Sequence, residues 1–351
     1  MSRTLAVYIS GHGYGHLAQI APVLNSLHGL CPDIRFVLRT ALPYRLLSSR
    51  IRAPFSVLDG PVDVGVIQNS AISEDIHATI AAAQRFYDDF PARIRRETAL
   101  IGAHSPEAVL SGISPLAFPV ADQLGIPSIA VASLDWFDIY RDFLDADDPL
   151  LLTLQQSHES CDLLIKPPLS MPMKSFPRQQ QVALIVDDEL PLPTRPTVRT
   201  HTALIMFGGA GDPPFDIMGL GTIAGWQFLC LNPLPSVTPA NVRQVNAGQS
   251  GTTALMTACD LVITKPGYGT LAECWLTGTP LAYLPRENFA EYPYLDDWLQ
   301  THAPSARMQM DDFISGNWLS AMHEALGCAR RYPDIPGSGA LQAAEIIEGM
   351  I

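Results

Sequence analysis

"TLAVYISGHGYGHLAQIAP", Thr4 to Pro22, is the stretch from which the fold can be read. It opens as a short, nearly continuous apolar run, the pattern of a strand covered on both faces. It closes at helical spacing, with Leu17, Ile20, Ala21, Leu24 and Leu27 forming one stripe. Between the two stand Gly11, Gly13 and Gly15, interleaved with His12 and His16. Glycine lets the main chain turn sharply and approach a ligand with no Cβ in the way. The helix start that follows offers N–H groups to a polar or negative atom. Strand, glycine turn and helix in this order begin a doubly wound parallel sheet.

The alternation continues outward. "IRFVLRT", "EAVLSG", "PSIAVAS" and "CDLLIK" read as further buried strands of the first half, and "TALIMFGG", "WQFLCLN", "DLVITK" and "PLAYLP" as those of the second. A chain of 351 residues that is 47% hydrophobic suits two cores rather than one. The expected class is α/β, with two Rossmann-like doubly wound parallel-sheet domains. The expected boundaries are 1–168 for the first domain, 169–200 for a proline-rich linker, 201–335 for the second domain, and 336–351 for a terminal helix. Ser338 is placed to cap that helix, with Leu341, Ala344 and Ile347 as its apolar face.

Composition narrows the function. A formal net charge of −13 argues against nucleic acid, whose phosphates require basic patches, and against attachment to anionic lipid. The longest apolar stretches are interrupted by Pro115, Pro119, Asp122 and Pro127, so no transmembrane segment is expected. The opening residues carry no signal-peptide pattern, and the six scattered cysteines show no metal-ligand spacing. Reduced thiols and a cytoplasmic location are the expectation.

Ligands of open parallel sheets sit beyond the carboxyl ends of the strands, where three glycine-rich segments fall. The first is the His12–His16 loop. It lacks the third glycine of the dinucleotide fingerprint, because His16 stands in that place. A neutral imidazole there can take a proton from a hydroxyl, although a lone histidine also serves as a loop-packing residue. The second is "FGGAGDP", where Gly208, Gly209, Ala210 and Gly211 can form a nest of N–H groups for phosphate oxygens. The third is "ITKPGYGTLAE", Ile263 to Glu273, the most informative. Lys265 supplies a cation, Gly267, Tyr268 and Gly269 make the turn, and Thr270 is placed to start a helix. Glu273, one turn on, can accept hydrogen bonds from two ribose hydroxyls or simply complement the helix dipole. Glu287, Asn288 and Glu291, in "PRENFAEYPYL", either bind sugar hydroxyls or form a solvated loop. A Walker loop, a G-x-S-x-G elbow and an H-E-x-x-H helix are all missing from the sequence.

"SGHGYGH", "FGGAG" and "KPGYGTLAE" in this order resemble the GT-B glycosyltransferases, the group that contains the peptidoglycan N-acetylglucosaminyltransferase. With "LDWFDIY", "RENFAEYPYL" and "SGNW", the likeness extends to the glycosyltransferase-like domain that precedes the kinase domain of plant L-arabinokinase. The resemblance implies two domains facing a cleft, with the acceptor held by the first and a nucleotide-diphosphate sugar by the second. It makes Glu273 the ribose ligand, Gly267 to Thr270 the diphosphate loop, Glu291 a contact of the donor sugar and His16 the base, with His12 beside it. Gly13 and Gly15 join the donor loops. It returns the last helix to the first domain. Gly112 stands where many relatives carry an aspartate that orients the histidine, which leaves Asp135 or Asp138 as substitutes. The expected function is inverting, metal-independent transfer of a sugar, from a UDP-sugar by family precedent, to an acceptor hydroxyl, with no further cofactor. The alternatives are a non-catalytic sugar-nucleotide-binding protein or partner subunit, and a sugar-nucleotide epimerase of the same architecture. Neither the acceptor nor an oligomeric state follows from the sequence.

Overall fold

A computed structural model describes residues 3–12, 15–70, 72–187, 200–207, 214–246, 251–286 and 289–351. The chain divides into two compact units. One comprises Met1–Ile67, Asp75–Asp187 and Pro336–Ile351, the other Gln68–Glu74 and Asp188–Ile335.

The first unit is built on strands β1 (Thr4–Tyr8), β2 (Arg35–Thr40) and β3 (Phe55–Asp59). A short antiparallel hairpin, β4 (Gln68–Ser70) and β5 (Ser73–Glu74), comes next in the chain but belongs to the second unit. The first sheet resumes with β6 (Ala108–Ser111), β7 (Ser128–Val131), β8 (Leu163–Lys166) and β9 (Gln179–Gln181). Its order is β3-β2-β1-β6-β7-β8-β9, parallel at every pairing. Leu5, Val7 and Ile9 are fully buried because helices cover both faces, which is why the run reads as continuously apolar. The helix Gly15–Leu30 packs its stripe Leu17, Ile20, Ala21, Leu24 and Leu27 into this core.

The second sheet comprises β10 (His201–Met206), β11 (Trp226–Cys230), β12 (Val242–Gln244), β13 (Leu261–Thr264), β14 (Leu281–Tyr283) and β15 (Ser305–Arg307). Its order is β12-β11-β10-β13-β14-β15, again parallel throughout. Phe207, Phe215, Phe228, Phe313 and Trp318 fill its core. In both sheets the chain leaves its first strand in one direction and returns past it to the other side. The crevices at this reversal lie beyond β1 and β6, and beyond β10 and β13. The turns that follow β1 and β13 therefore each lie at the switch point of their sheet.

Three expectations are revised here. The segment read as a linker from 169 belongs to the first unit as far as Asp187. It supplies β9 and buries Leu169, Met171, Met173, Phe176 and Leu184, while 188–199 lie outside the described residues. Residues 68–74, placed in the first domain by the sequence, join the second unit, with Ile72 against its core. The last helix, Gly339–Glu348, is capped by Ser338 and packs on the helix Gly15–Leu30, but through Ala340, Ala343, Ala344 and Ile347; Leu341 is 41% exposed. Gly339 allows this seat, since a Cβ there would lie 2.1 Å from the carbonyl oxygen of Ala183.

Candidate functional site

The first cluster forms at the end of β1. Ser10 is fully buried, and its hydroxyl accepts the His12 N–H at 3.2 Å while donating to Asp63 Oδ1 at 2.9 Å. The other oxygen of Asp63 accepts the indole N–H of Trp136 at 3.0 Å. The Trp136 ring meets His12 and His16 edge-on, with centroids at 5.6 and 5.9 Å. Asp63 is thus a buried carboxylate with both oxygens engaged, and burial raises its pKa to about 6 against the pull of those two bonds. It anchors the glycine loop through Ser10 and braces the indole behind both imidazoles. The neighbouring Tyr140 hydroxyl donates to the Val64 carbonyl and fixes the same segment. Gly65 packs against the His12 ring so closely that a Cβ would sit 2.0 Å from its Cγ.

His16 lies in the first turn of its helix, partly buried. Desolvation, with His12 adding to it, pushes its pKa down to about 3. The ring is therefore neutral at pH 7, and weakly basic. Among the described residues no carboxylate is hydrogen-bonded to it. Asp135 and Asp138, the substitutes expected from the sequence, are engaged elsewhere. Asp135 caps the helix Trp136–Tyr140 by accepting from the Asp138 N–H at 2.6 Å. Asp138 accepts from the Met173 N–H at 3.1 Å and pairs with Arg141. Nor is there room for an aspartate at 112, where a Cβ would meet Ile20 Cγ1 at 2.8 Å. A Cβ at Gly15, by contrast, would meet nothing within 4 Å. Gly13 lies outside the described residues.

The second cluster forms after β13, in the second unit. The strand ends at Thr264, whose hydroxyl donates to the Met206 carbonyl at 2.8 Å and ties β13 to β10. Lys265 to Gly267 make the turn, and the helix Tyr268–Thr277 begins at Tyr268. Gly269 and Thr270 thus lie within its first turn, so the helix starts two residues earlier than Thr270. Gly267 is the N-cap, with an extended backbone (φ −165°, ψ 145°) and no side chain to satisfy the first-turn N–H groups. Neither that φ nor packing demands glycine here, since a Cβ would meet nothing within 4 Å. The ammonium of Lys265 is pushed down to a pKa of about 8, by burial first and then by Arg286, while Glu74 opposes the shift.

Arg286 donates to Glu74 Oε1 at 2.8 Å, and its guanidinium lies over the Phe289 ring at 3.8 Å. Glu291, at the start of the helix Tyr292–His302, is only 3% exposed, and its Oε1 has no hydrogen-bond partner among the described residues. Burial lifts its pKa to about 7 although Arg286 pulls it down. Glu273 is buried as well, with Oε2 accepting from the Thr252 hydroxyl at 2.5 Å. Gly208, Gly209, Ala210, Gly211, Glu287 and Asn288 lie outside the described residues. Among the described residues no group of three or more histidine, cysteine or acidic side chains has the geometry of a metal site. No helix among them is long and apolar enough to cross a membrane.

A glycosyltransferase of kitacinnamycin superposes with a TM-score of 0.66 at 16% identity, covering 99% of both chains. The chain has the GT-B glycosyltransferase fold. Two further GT-B structures are the spinosyn rhamnosyltransferase SpnG complexed with thymidine diphosphate and a UDP-glucose:anthocyanidin 3-O-glucosyltransferase in complex with UDP. Both give a TM-score of 0.58 at 13% identity over 99% of this chain, and 96% and 95% of theirs. In sequence, the chain is 26% identical over 363 residues to L-arabinokinase of Arabidopsis thaliana, covering 98% of this chain and 34% of that protein. It therefore spans about a third of the length of the curated relative it matches. No family model matches.

Three residues of these clusters escaped sequence reasoning. Asp63 follows β3, a strand with alternating partial exposure that gives no clear apolar run. Arg286 was visible only as part of a motif. Glu74 lies in a polar stretch with no periodic signal.

Proposed function

We propose that the chain transfers a sugar from a nucleotide-diphosphate donor to an acceptor hydroxyl, with inversion at the anomeric carbon. The observation that carries this reading is the cluster after β13. A cation and a helix N-terminus meet at this turn, and Arg286, whose charge acts on both Lys265 and Glu291, links it to a buried carboxylate whose Oε1 has no partner among the described residues. Lys265 and the first-turn N–H groups suit the two phosphates, and the open space at Gly267 leaves room for their approach. Glu291 Oε1 would accept from a donor-sugar hydroxyl, which removes the cost of an unpaired buried oxygen. Glu273 would take the ribose hydroxyls, which requires it to share or release the Thr252 bond.

As the acceptor oxygen attacks the anomeric carbon, its proton passes to a ring nitrogen of His16, and the bond from that carbon to the diphosphate oxygen breaks. The departing charge is met by Lys265, Arg286 and main-chain N–H groups, positioned before the reaction starts. These fixed positive groups are the basis for proposing that no divalent ion is needed. Sugars of uridine and thymidine diphosphate are the first donors to test, because two proteins of this fold were solved with those diphosphates. Calorimetry with uridine, thymidine and guanosine diphosphates and their sugars tests the reading; no binding by any of them would overturn it.

One observation favours a second reading, a sugar-nucleotide-binding protein without turnover: His16 is held near pKa 3 with no carboxylate bonded to it among the described residues. That reading predicts donor binding that survives His16→Ala and no transfer to any acceptor. An epimerase of this fold would instead change the donor sugar with no acceptor present.

A further inference from the structure

Arg286 does not wait unpaired beside the turn after β13. In the second unit its guanidinium is held by Glu74, and both side chains are nearly buried, at 13% and 14% exposure. Glu74 ends the hairpin β4–β5, which is fastened to that unit by Ile72 against its core. The carboxylate is therefore carried on an anchored element and is not a wandering surface group. Its field also reaches Lys265, where it opposes the effect of Arg286. Two cations are thus shared with one hairpin carboxylate, at the place where the proposed donor would bring a diphosphate.

We propose that Glu74 is the resident counter-anion of the donor subsite: it holds Arg286 in the empty protein and yields it to a phosphate oxygen when the donor binds. This rests on the donor reading above. The physical argument is one of exchange. Two cations brought close in a poorly solvated place repel, and an anion must balance them. In the empty protein Glu74 does so. A bound diphosphate carries more charge and more acceptor oxygens than one carboxylate, so it can replace Glu74 on the guanidinium, which binds phosphate readily through its forked N–H groups. The donor must first break a formed ion pair, and the hairpin thereby sets donor affinity. Glu291 differs in kind, since among the described residues its Oε1 has no partner and no such bond to give up.

The test is calorimetric titration of the whole chain with UDP and with inorganic pyrophosphate, for the wild type, Glu74→Gln, Glu74→Asp and Lys265→Met. Removing the competing charge in Glu74→Gln should tighten both ligands by roughly tenfold. Glu74→Asp withdraws the carboxylate by one methylene and should tighten them less; it serves if the glutamine variant fails to fold. The pH profile of Lys265 labelling, read by mass spectrometry, should move to lower pH in Glu74→Gln. Unchanged or weaker binding in both Glu74 variants, while Lys265→Met abolishes wild-type binding, overturns this inference and leaves the donor reading intact. A wild type that binds neither UDP nor any other nucleoside diphosphate overturns both.

Discussion

Glu291→Gln gives the most quantitative prediction. Glu291 has a folded pKa of about 7 against an ordinary value of 4.5. The shift is upward for an acid, so the folded state binds more protons than the unfolded state between these values. Stability is therefore lost as pH rises from about 4.5 to about 7, and above that the cost is constant. With these two values the linkage relation gives a cost of under about 1 kcal/mol at pH 5 and on the order of 3 kcal/mol at pH 8. Glutamine has the same shape but no charge, so it escapes this term. It also brings an amide into a place where one oxygen already lacks a partner, a cost that does not change with pH. Comparing the two pH values cancels it. The stability difference between Glu291→Gln and the wild type should move by roughly 2–3 kcal/mol in favour of the variant between pH 5 and pH 8. Urea unfolding followed by tryptophan fluorescence reads it, because Trp226, Trp275, Trp298 and Trp318 lie in the second unit and only Trp136 in the first. A difference that stays flat with pH, or moves the other way, would refute the argument that burial dominates at Glu291.

Other outcomes follow from the same geometry. Lys265 must be protonated to hold a diphosphate, so nucleoside diphosphate binding should weaken as pH rises through about 8, accompanied by proton uptake in that range; calorimetry in buffers of different ionisation enthalpy reads both. His16→Gln should leave donor affinity unchanged and lower transfer by about 10²–10⁴-fold, measured as diphosphate release with acceptor present. Asp63→Asn turns an amide toward one of two N–H or O–H donors, and should cost roughly 1–3 kcal/mol in chemical unfolding. Gly65→Ala must push the His12 ring aside, with a cost of about 1–3 kcal/mol and a shift of the His12 ring signals in NMR.

How far the sequence could be read depended on the range of the interactions. Strands such as Thr4–Tyr8 and Leu261–Thr264 announce themselves because burial on both faces makes every position apolar. Val242–Gln244, Ser305–Arg307 and Gln179–Gln181 do not, since each has three residues and at least one of them exposed. The glycine turns were legible because they sit in single local strand–turn–helix units. The pairings that organise the clusters were not. Asp63 reaches Ser10 across 53 positions and Trp136 across 73, and Glu74 reaches Arg286 across 212. No local pattern encodes a contact of that span. Asp135 was a reasonable candidate by position, but its place before a helix made it a cap, which claims its side chain for the Asp138 N–H.

The claim on which the rest depends is that a nucleotide diphosphate rests on the turn Lys265–Thr270. A crystal of the protein soaked in a mixture of UDP- and TDP-sugars tests it most directly. The account predicts phosphate density within hydrogen-bond reach of Lys265 Nζ and the first-turn N–H groups at Tyr268 to Thr270, with a sugar hydroxyl on Glu291 Oε1. A nucleotide seated elsewhere in the second unit, with that turn and Glu291 untouched, would contradict it.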